Sequence, residues 1–240
     1  LFDDLQSTGN FDMNPYPFDA VLFDMDGTII NNVPLHQQVW QEFARLHGLH
    51  LSDEQLNYAK GRKALEVVAH FFGEDLDPDE IARLTEERQI LYRERLATAN
   101  TEVVSPIAGI EDYLIGLGNL GVPRILATDA PLANVEAVFQ KFNFTPYFEA
   151  LITSDHIQHG KPHPEIFLTA AQRAGANPKR CLVAEDSEAG VAAAKAAGGV
   201  CLALTTTQSE TDLKRQEADF IAVDYYSLPA AIALPTASVT

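Results

Sequence analysis

Residues 20–30 read AVLFDMDGTII and place Asp24 and Asp26 two positions apart at the end of an apolar run. Two carboxylates leaving a buried strand repel each other and resist desolvation, so something positive must hold them. Residues i and i+2 of a strand point to one side, which sets both acids beside the same reacting group. Three further segments carry compatible chemistry: Thr128-Asp129 after RILA, Glu185-Asp186-Ser187 after CLVA, and Lys161 between Gly160 and Pro162 in HGKPHPEIF. Clustered carboxylates with all-oxygen donors favour Mg2+, which keeps several waters and accepts phosphate oxygens. In such a site Asp24 is equipped to attack phosphorus as a carboxylate nucleophile. Asp26 can protonate the leaving oxygen and then deprotonate a water. Lys161 and the Thr128 hydroxyl would hold the non-bridging oxygens as charge moves onto them.

Each segment alone has a plainer reading. Asp-x-Asp-Gly suits a turn, a single lysine reads as a solvated side chain, and Glu185-Asp186 reads as a helix N-cap. A calcium-binding loop fails on register, because aligning Gly27 with its glycine puts Leu22 and Val33 at ligand positions. His156, His159 and His163 have the spacing of a helix-borne metal site, but Gly160 and Pro162 break that helix, and zinc is not expected there.

The elements that must position these groups follow from periodicity. RILAT (124–128), ALIT (150–153), CLVAED (181–186), VCLAL (200–204) and FIAV (220–223) are short and almost fully apolar, with helical stripes such as Val135, Val138, Phe139 and Phe142 between them. Runs apolar on both faces and joined by helices argue a parallel sheet covered on both sides, whose ligands bind beyond the strands' carboxyl ends. Residues 34–99 instead carry helical patterns: Leu35, Val39, Phe43 and Leu46; then Leu65, Val68, Phe71 and Phe72. Ser52 to Gln55 resembles a capping box. Asp77-Pro78-Asp79-Glu80 starts a helix that is expected to reach about Leu96. The expected fold is thus α/β: a doubly wound parallel-sheet core, residues 16–31 and 104–240, interrupted after its first strand by an all-helical insert, residues 32–103. Residues 1–15 form an N-terminal tail, and Met13 is a candidate natural start.

The chain has 240 residues, 46% of them hydrophobic, enough for one sizeable core with an insert. A net charge of −17 disfavours nucleic acid and anionic membranes as partners. The apolar runs are far too short for a membrane span. Cys181 and Cys201 each sit in an apolar run and read as buried free thiols of a cytoplasmic protein. A monomer or weak dimer is expected.

These motifs together resemble the haloacid dehalogenase superfamily, in the branch of beta-phosphoglucomutase and small sugar phosphatases. DMDGT (24–28) resembles the first motif, Thr128 the second, Lys161 in GKPHPEIF the third, and EDSEAG (185–190) the fourth. The likeness spans residues 17–228. It implies a Rossmann-like core with a helical cap, and Mg2+ held by Asp24, the Asp26 carbonyl and Asp186, with Glu185 nearby. The presence of Asp26 argues against dehalogenases, which lack this acid, and against phosphonate-cleaving relatives, which usually carry Ala there. Two positions depart from the pattern. Asp129 adds a charge where the second motif usually continues with a neutral residue; it either turns away or contacts a substrate hydroxyl. The mutase's cap motif is lysine-glycine with an arginine three residues after the glycine. Here Lys60-Gly61 is followed at that position by Ala64, which favours a phosphatase over a mutase. Lys60, Arg62 and Lys63 either face the cleft and steer a phosphorylated substrate or form a solvated helix start. Arg88 resembles a basic substrate contact. His36 either approaches the leaving group or lies on the surface. The expected function is Mg2+-dependent hydrolysis of a small phosphomonoester, a sugar phosphate, through an aspartyl phosphate. The alternatives are a sugar-phosphate mutase, an inorganic pyrophosphatase and a non-catalytic phosphate sensor.

Overall fold

The computed structural model describes residues 16–59, 62–73 and 75–235. The tail and Lys60 lie outside the described residues. In chain order, β1 (Ala20–Phe23) is followed by β2 (Ile30–Asn31), then α1 (Val33–Leu46), α2 (Asp53–Tyr58), α3 (Ala64–Phe72) and α4 (Pro78–Thr98), then β3 (Ser105–Pro106). After α5 (Ile110–Asn119) the chain alternates through β4 (Arg124–Ala127), α6 (Leu132–Phe142), β5 (Ala150–Ile152), α7 (Glu165–Ala174), β6 (Cys181–Glu185), α8 (Glu188–Ala196), β7 (Val200–Leu204), α9 (Glu210–Arg215) and β8 (Phe220–Ala222).

Six strands form one parallel sheet in the order β5-β4-β1-β6-β7-β8. Alternate residues of each strand bury on opposite faces. Leu22, Ala127, Val183 and Ala203 pack on Phe167, Ala171, Val191 and Leu213, whereas Phe23, Leu126, Ala184 and Leu202 share a core with Tyr113, Leu117, Val135 and Val138. This two-sided burial is why the strands read as continuous apolar runs. Cys181 and Cys201 are buried and free.

The four-helix insert occupies the chain between β2 and β3, which pair antiparallel, Ile30 with Pro106 and Asn31 with Ser105. The two crossings of the insert are thereby tied side by side. The Ser52–Gln55 capping box forms, and the Asp77 carboxylate accepts from the Asp79 N–H at 2.8 Å. Not every residue of the expected stripes turns inward. Leu46 is 59% and Leu65 52% exposed, while Val67 is buried in their place. Phe71 and Phe72 pack on the insert's core as expected.

Candidate active site

The strand order reverses direction between β1 and β6, and a crevice opens beyond the carboxyl ends of strands at such a point. The Asp24 N–H donates to the Ala184 carbonyl at 3.0 Å, locking the exit of β1 against β6. Asp24 therefore faces Glu185 and Asp186 across this crevice. Thr128 follows β4, and Lys161 comes from the loop between β5 and α7. Lys161 Nζ donates to Asp24 Oδ1 at 2.5 Å, Glu185 Oε1 at 2.6 Å and the Ala127 carbonyl at 3.3 Å. Burial would push this ammonium down, but Asp24, Glu185 and Asp129 outweigh it and raise it.

Glu185 is oriented from the other side. Its Oε2 accepts from the Asp186 N–H, the Ser187 N–H and the Ser187 hydroxyl at 2.8–3.0 Å. The N-cap of α8 is Ser187, whose hydroxyl accepts from the Gly190 N–H, and not the Glu185-Asp186 pair that the sequence offered. Gly190 must lack a side chain, because a Cβ there would overlap the Glu185 carboxyl group. Asp186 is held by hydroxyls: Thr207 donates to its Oδ2 and its carbonyl, and Thr28 donates to its Oδ1 at 3.4 Å. Gly27, at φ +79°, leaves room for this carboxylate where a Cβ would collide with it. Thr206 donates to the Gly27 carbonyl at 2.5 Å and ties both segments together. Sequence reasoning missed Thr206 and Thr207, although they lie two and three residues past the apolar run of β7 and so obey the same strand-end rule.

Burial, with Glu185 and Asp26 beside it, pushes the Asp24 carboxyl well above the usual carboxylate range against the pull of Lys161. Burial, Glu185 and Asp24 do the same to Asp186. Three carboxylates thus share one ammonium, and their oxygens form a hard donor set that is short of positive charge. Those residues fit a divalent cation such as Mg2+, with Asp24 and Asp186 as the carboxylates that would hold it.

Asp26 is treated differently. Burial would raise its carboxyl, but His36, Asn32 and Arg88 together lower it. Asn32 Nδ2 donates to Asp26 Oδ1 at 2.6 Å. His36 stacks on Tyr92, and its Nδ1 lies 2.6 Å from an Arg88 nitrogen. That guanidinium cannot accept, so Nδ1 accepts and the Nε2–H of His36 faces Asp26 Oδ2 at 3.6 Å. Burial and the Arg88 charge lower the imidazole's proton affinity, and burial brings Arg88 down to about 10. Asn32 immediately precedes α1 and His36 lies within it, so the insert itself orients this acid. His36 thus lines the cavity beside Asp26. Arg88 is buried over Trp40, reaching the crevice through His36.

A cavity of about 670 Å³ lies between sheet and insert. Gln37, Glu66, Gln89, Asn134 and Gln158 line it with amides and a carboxylate. Arg62 also lines it and stacks on the Tyr58 ring at 4.3 Å. Asp129 does not simply turn away: its Oδ2 accepts from the Lys161 N–H at 3.0 Å, and its buried Oδ1 has no hydrogen-bond partner among the described residues. Ala64 lines the cavity without a charge at the position where the mutase pattern has arginine.

A family model described as haloacid dehalogenase-like hydrolase matches residues 18–198. The fructose-1-phosphate phosphatase of Escherichia coli is 32% identical over 75% of this chain and 92% of its own length. Validoxylamine A 7'-phosphate phosphatase of Streptomyces hygroscopicus is 31% identical over 86% of this chain and 94% of its own. Among solved structures, a family IA haloacid dehalogenase hydrolase of Entamoeba histolytica superposes with a TM-score of 0.82 at 26% identity, covering 88% of this chain and 96% of that one. With its six-stranded parallel sheet, four-helix insert and these matches, the chain belongs to the haloacid dehalogenase-like hydrolases and is one of their phosphatases.

Proposed function

We propose that this phosphatase hydrolyses a small phosphomonoester, a sugar phosphate, in a Mg2+-dependent reaction through an aspartyl phosphate. The carrying observation is the opposed treatment of two acids two residues apart. Asp24 is buried among carboxylates and bonded to Lys161, while Asp26 is gripped by hydrogen-bonding groups of the insert. That contrast supports attack by Asp24 and proton transfer by Asp26.

Asp24 attacks phosphorus, the ester P–O bond breaks, and Asp26 gives its proton to the leaving oxygen. The resting environment favours the ionised form of Asp26, and an incoming phosphate dianion raises its proton affinity. Asp26 then takes a proton from the water that attacks the aspartyl phosphate, and inorganic phosphate leaves. Lys161 holds one non-bridging oxygen. The Thr128 oxygen accepts from the Ala130 N–H at 3.2 Å, which leaves its O–H to donate to another. Bound Mg2+ supplies the charge that lets Asp24 stay ionised beside a phosphate. Residues 32–103 act as a cap over a core of 16–31 and 104–240, opening for exchange and excluding water when closed.

A sugar phosphate suits the cavity, because amides, Glu66 and the Asp129 oxygen that lacks a partner among the described residues can each take a hydroxyl. The names of the relatives, a fructose-1-phosphate phosphatase and a hexitol phosphatase among them, support the same class. The mutase alternative loses ground at Ala64. The test is phosphate release from fructose 1-phosphate, hexitol phosphates, beta-glucose 1-phosphate and pyrophosphate, with Mg2+ and with EDTA. Release from the sugar esters only with Mg2+ is expected. No Mg2+-dependent release from any sugar ester, or conversion of beta-glucose 1-phosphate to glucose 6-phosphate given a trace of bisphosphate, would overturn the reading.

A further inference from the structure

The loop that carries Lys161 holds a second set of donors outside the cavity. His159 and His163 flank the lysine at two residues on either side, and Glu165 opens α7. A ring nitrogen of each histidine and one Glu165 oxygen all lie within 4.8 Å of one another. His159 Nδ1 is 3.0 Å and His163 Nδ1 3.8 Å from Glu165 Oε2, and the two rings are 4.7 Å apart.

The segment is not a helix, as Gly160 and Pro162 foretold, yet a turn does what a helix would have done. The His163 N–H donates to the Gly160 carbonyl at 3.1 Å and folds the two histidines back toward each other. Glu165 is fixed as their common partner, because its carboxylate also accepts from the N–H groups of Gln158 and His159 at 2.9 and 3.0 Å. His156, which the spacing grouped with them, does not join the three: its ring lies against Thr153, whose N–H donates to its Nδ1 at 3.2 Å.

Around a tetrahedral zinc with bonds of about 2.0–2.1 Å, ligand atoms lie about 3.3 Å apart. The observed separations, all within 4.8 Å, reach that value by side-chain rotation of about 1.5 Å or less. Both histidines are more than half exposed, and the rotation replaces the bond that His163 Nδ1 accepts from the Glu165 N–H at 3.3 Å. Two imidazoles and one carboxylate suit Zn2+, Ni2+ or Cu2+ and suit Mg2+ poorly. This donor set is therefore chemically distinct from the all-oxygen crevice. The acidic chain, with its net charge of −17, concentrates cations at its surface.

We propose that His159, His163 and Glu165 form a second metal site, binding one divalent transition-metal ion of the zinc class per chain. The bound ion ties together residues on both sides of Lys161 and stiffens the loop that delivers its ammonium.

The test is calorimetric titration of Zn2+ into the full chain held in saturating Mg2+. One Zn2+ per chain is expected. His159→Gln and His163→Gln should each weaken it at least about tenfold, since even outer-shell losses at metal sites cost 10–100-fold. Both side chains are exposed, so thermal unfolding of each variant without zinc should match the parent, as should its Mg2+-supported phosphate release. Absence of Zn2+ binding by the parent, or undiminished binding in both variants, overturns the proposal. So does loss of the zinc in Asp186→Asn with retention in the histidine variants, which would place the ion in the crevice.

Discussion

Lys161→Met removes the ammonium bonded to the crevice carboxylates while keeping most of the stem's volume. The side chain is 6% exposed, and its Nζ sits 2.5 Å from Asp24 and 2.6 Å from Glu185. At an effective dielectric of about 20, each contact is worth roughly 6–7 kcal/mol of attraction before desolvation. The cost of burying the charges offsets most of this, and removing one partner of a buried pair costs about 3–5 kcal/mol net. For a chain of this size, at about 2–4 °C per kcal/mol, the melting temperature should fall by roughly 6–20 °C in EDTA. Mg2+ should restore part of the loss, because it supplies positive charge to the same oxygens. Turnover at saturating substrate and Mg2+ should fall by on the order of 10²–10³, the usual loss for a group that holds developing oxyanion charge. Urea and thermal unfolding in EDTA and in Mg2+, with initial rates of phosphate release, measure all three. A variant that loses less than about 1 kcal/mol in EDTA would show that the ammonium does not compensate buried carboxylates, and the account of the crevice would fail.

Asp24→Asn keeps the shape of the nucleophile without its charge; phosphate release should drop by on the order of 10⁴ or more, while the fold survives because Lys161 keeps Glu185 as its partner, and residual turnover near the parent's would refute the assignment. Asp24 and Asp186 have folded-state carboxyls raised above their unfolded values, so the folded chain holds protons that the unfolded chain releases. Their contribution to stability therefore declines as pH rises from about 4 through the raised folded values. Urea midpoints in EDTA should fall with pH above about 5, and this fall should shrink in Mg2+ and in Asp186→Asn; equal slopes in all three would contradict the burial argument. Gly190→Ala puts a methyl group into the Glu185 carboxyl, so it should cost about 1–3 kcal/mol and lower turnover by displacing the partner of Lys161; parent-like melting and rates would show that Glu185 sits elsewhere.

Much of this molecule was legible in one dimension because its determinants are local or periodic. Strands buried on both faces must be apolar at every position, so β1, β4, β6 and β7 announced themselves, and the residues just past them marked the crevice. The Ser52 and Asp77 caps were legible because the bonds they form span two or three residues. Other features depend on what lies opposite, which no local pattern encodes. The pairing of β2 with β3 joins two-residue strands far apart in sequence. Leu46 and Leu65 fit apolar stripes, but the packing of the insert leaves them outside.

Residue types and spacing alone established that Asp24, Asp26, Thr128, Lys161, Glu185 and Asp186 could meet, because a parallel sheet delivers every strand end to one edge. Only tertiary structure decided which groups press on which. It set Arg88 against His36 and His36 against Asp26, Thr207 against Asp186, and His159 with His163 around Glu165. Those are contacts between side chains brought together by packing and turns, where a shift of a few ångströms changes the chemistry and leaves the sequence pattern untouched.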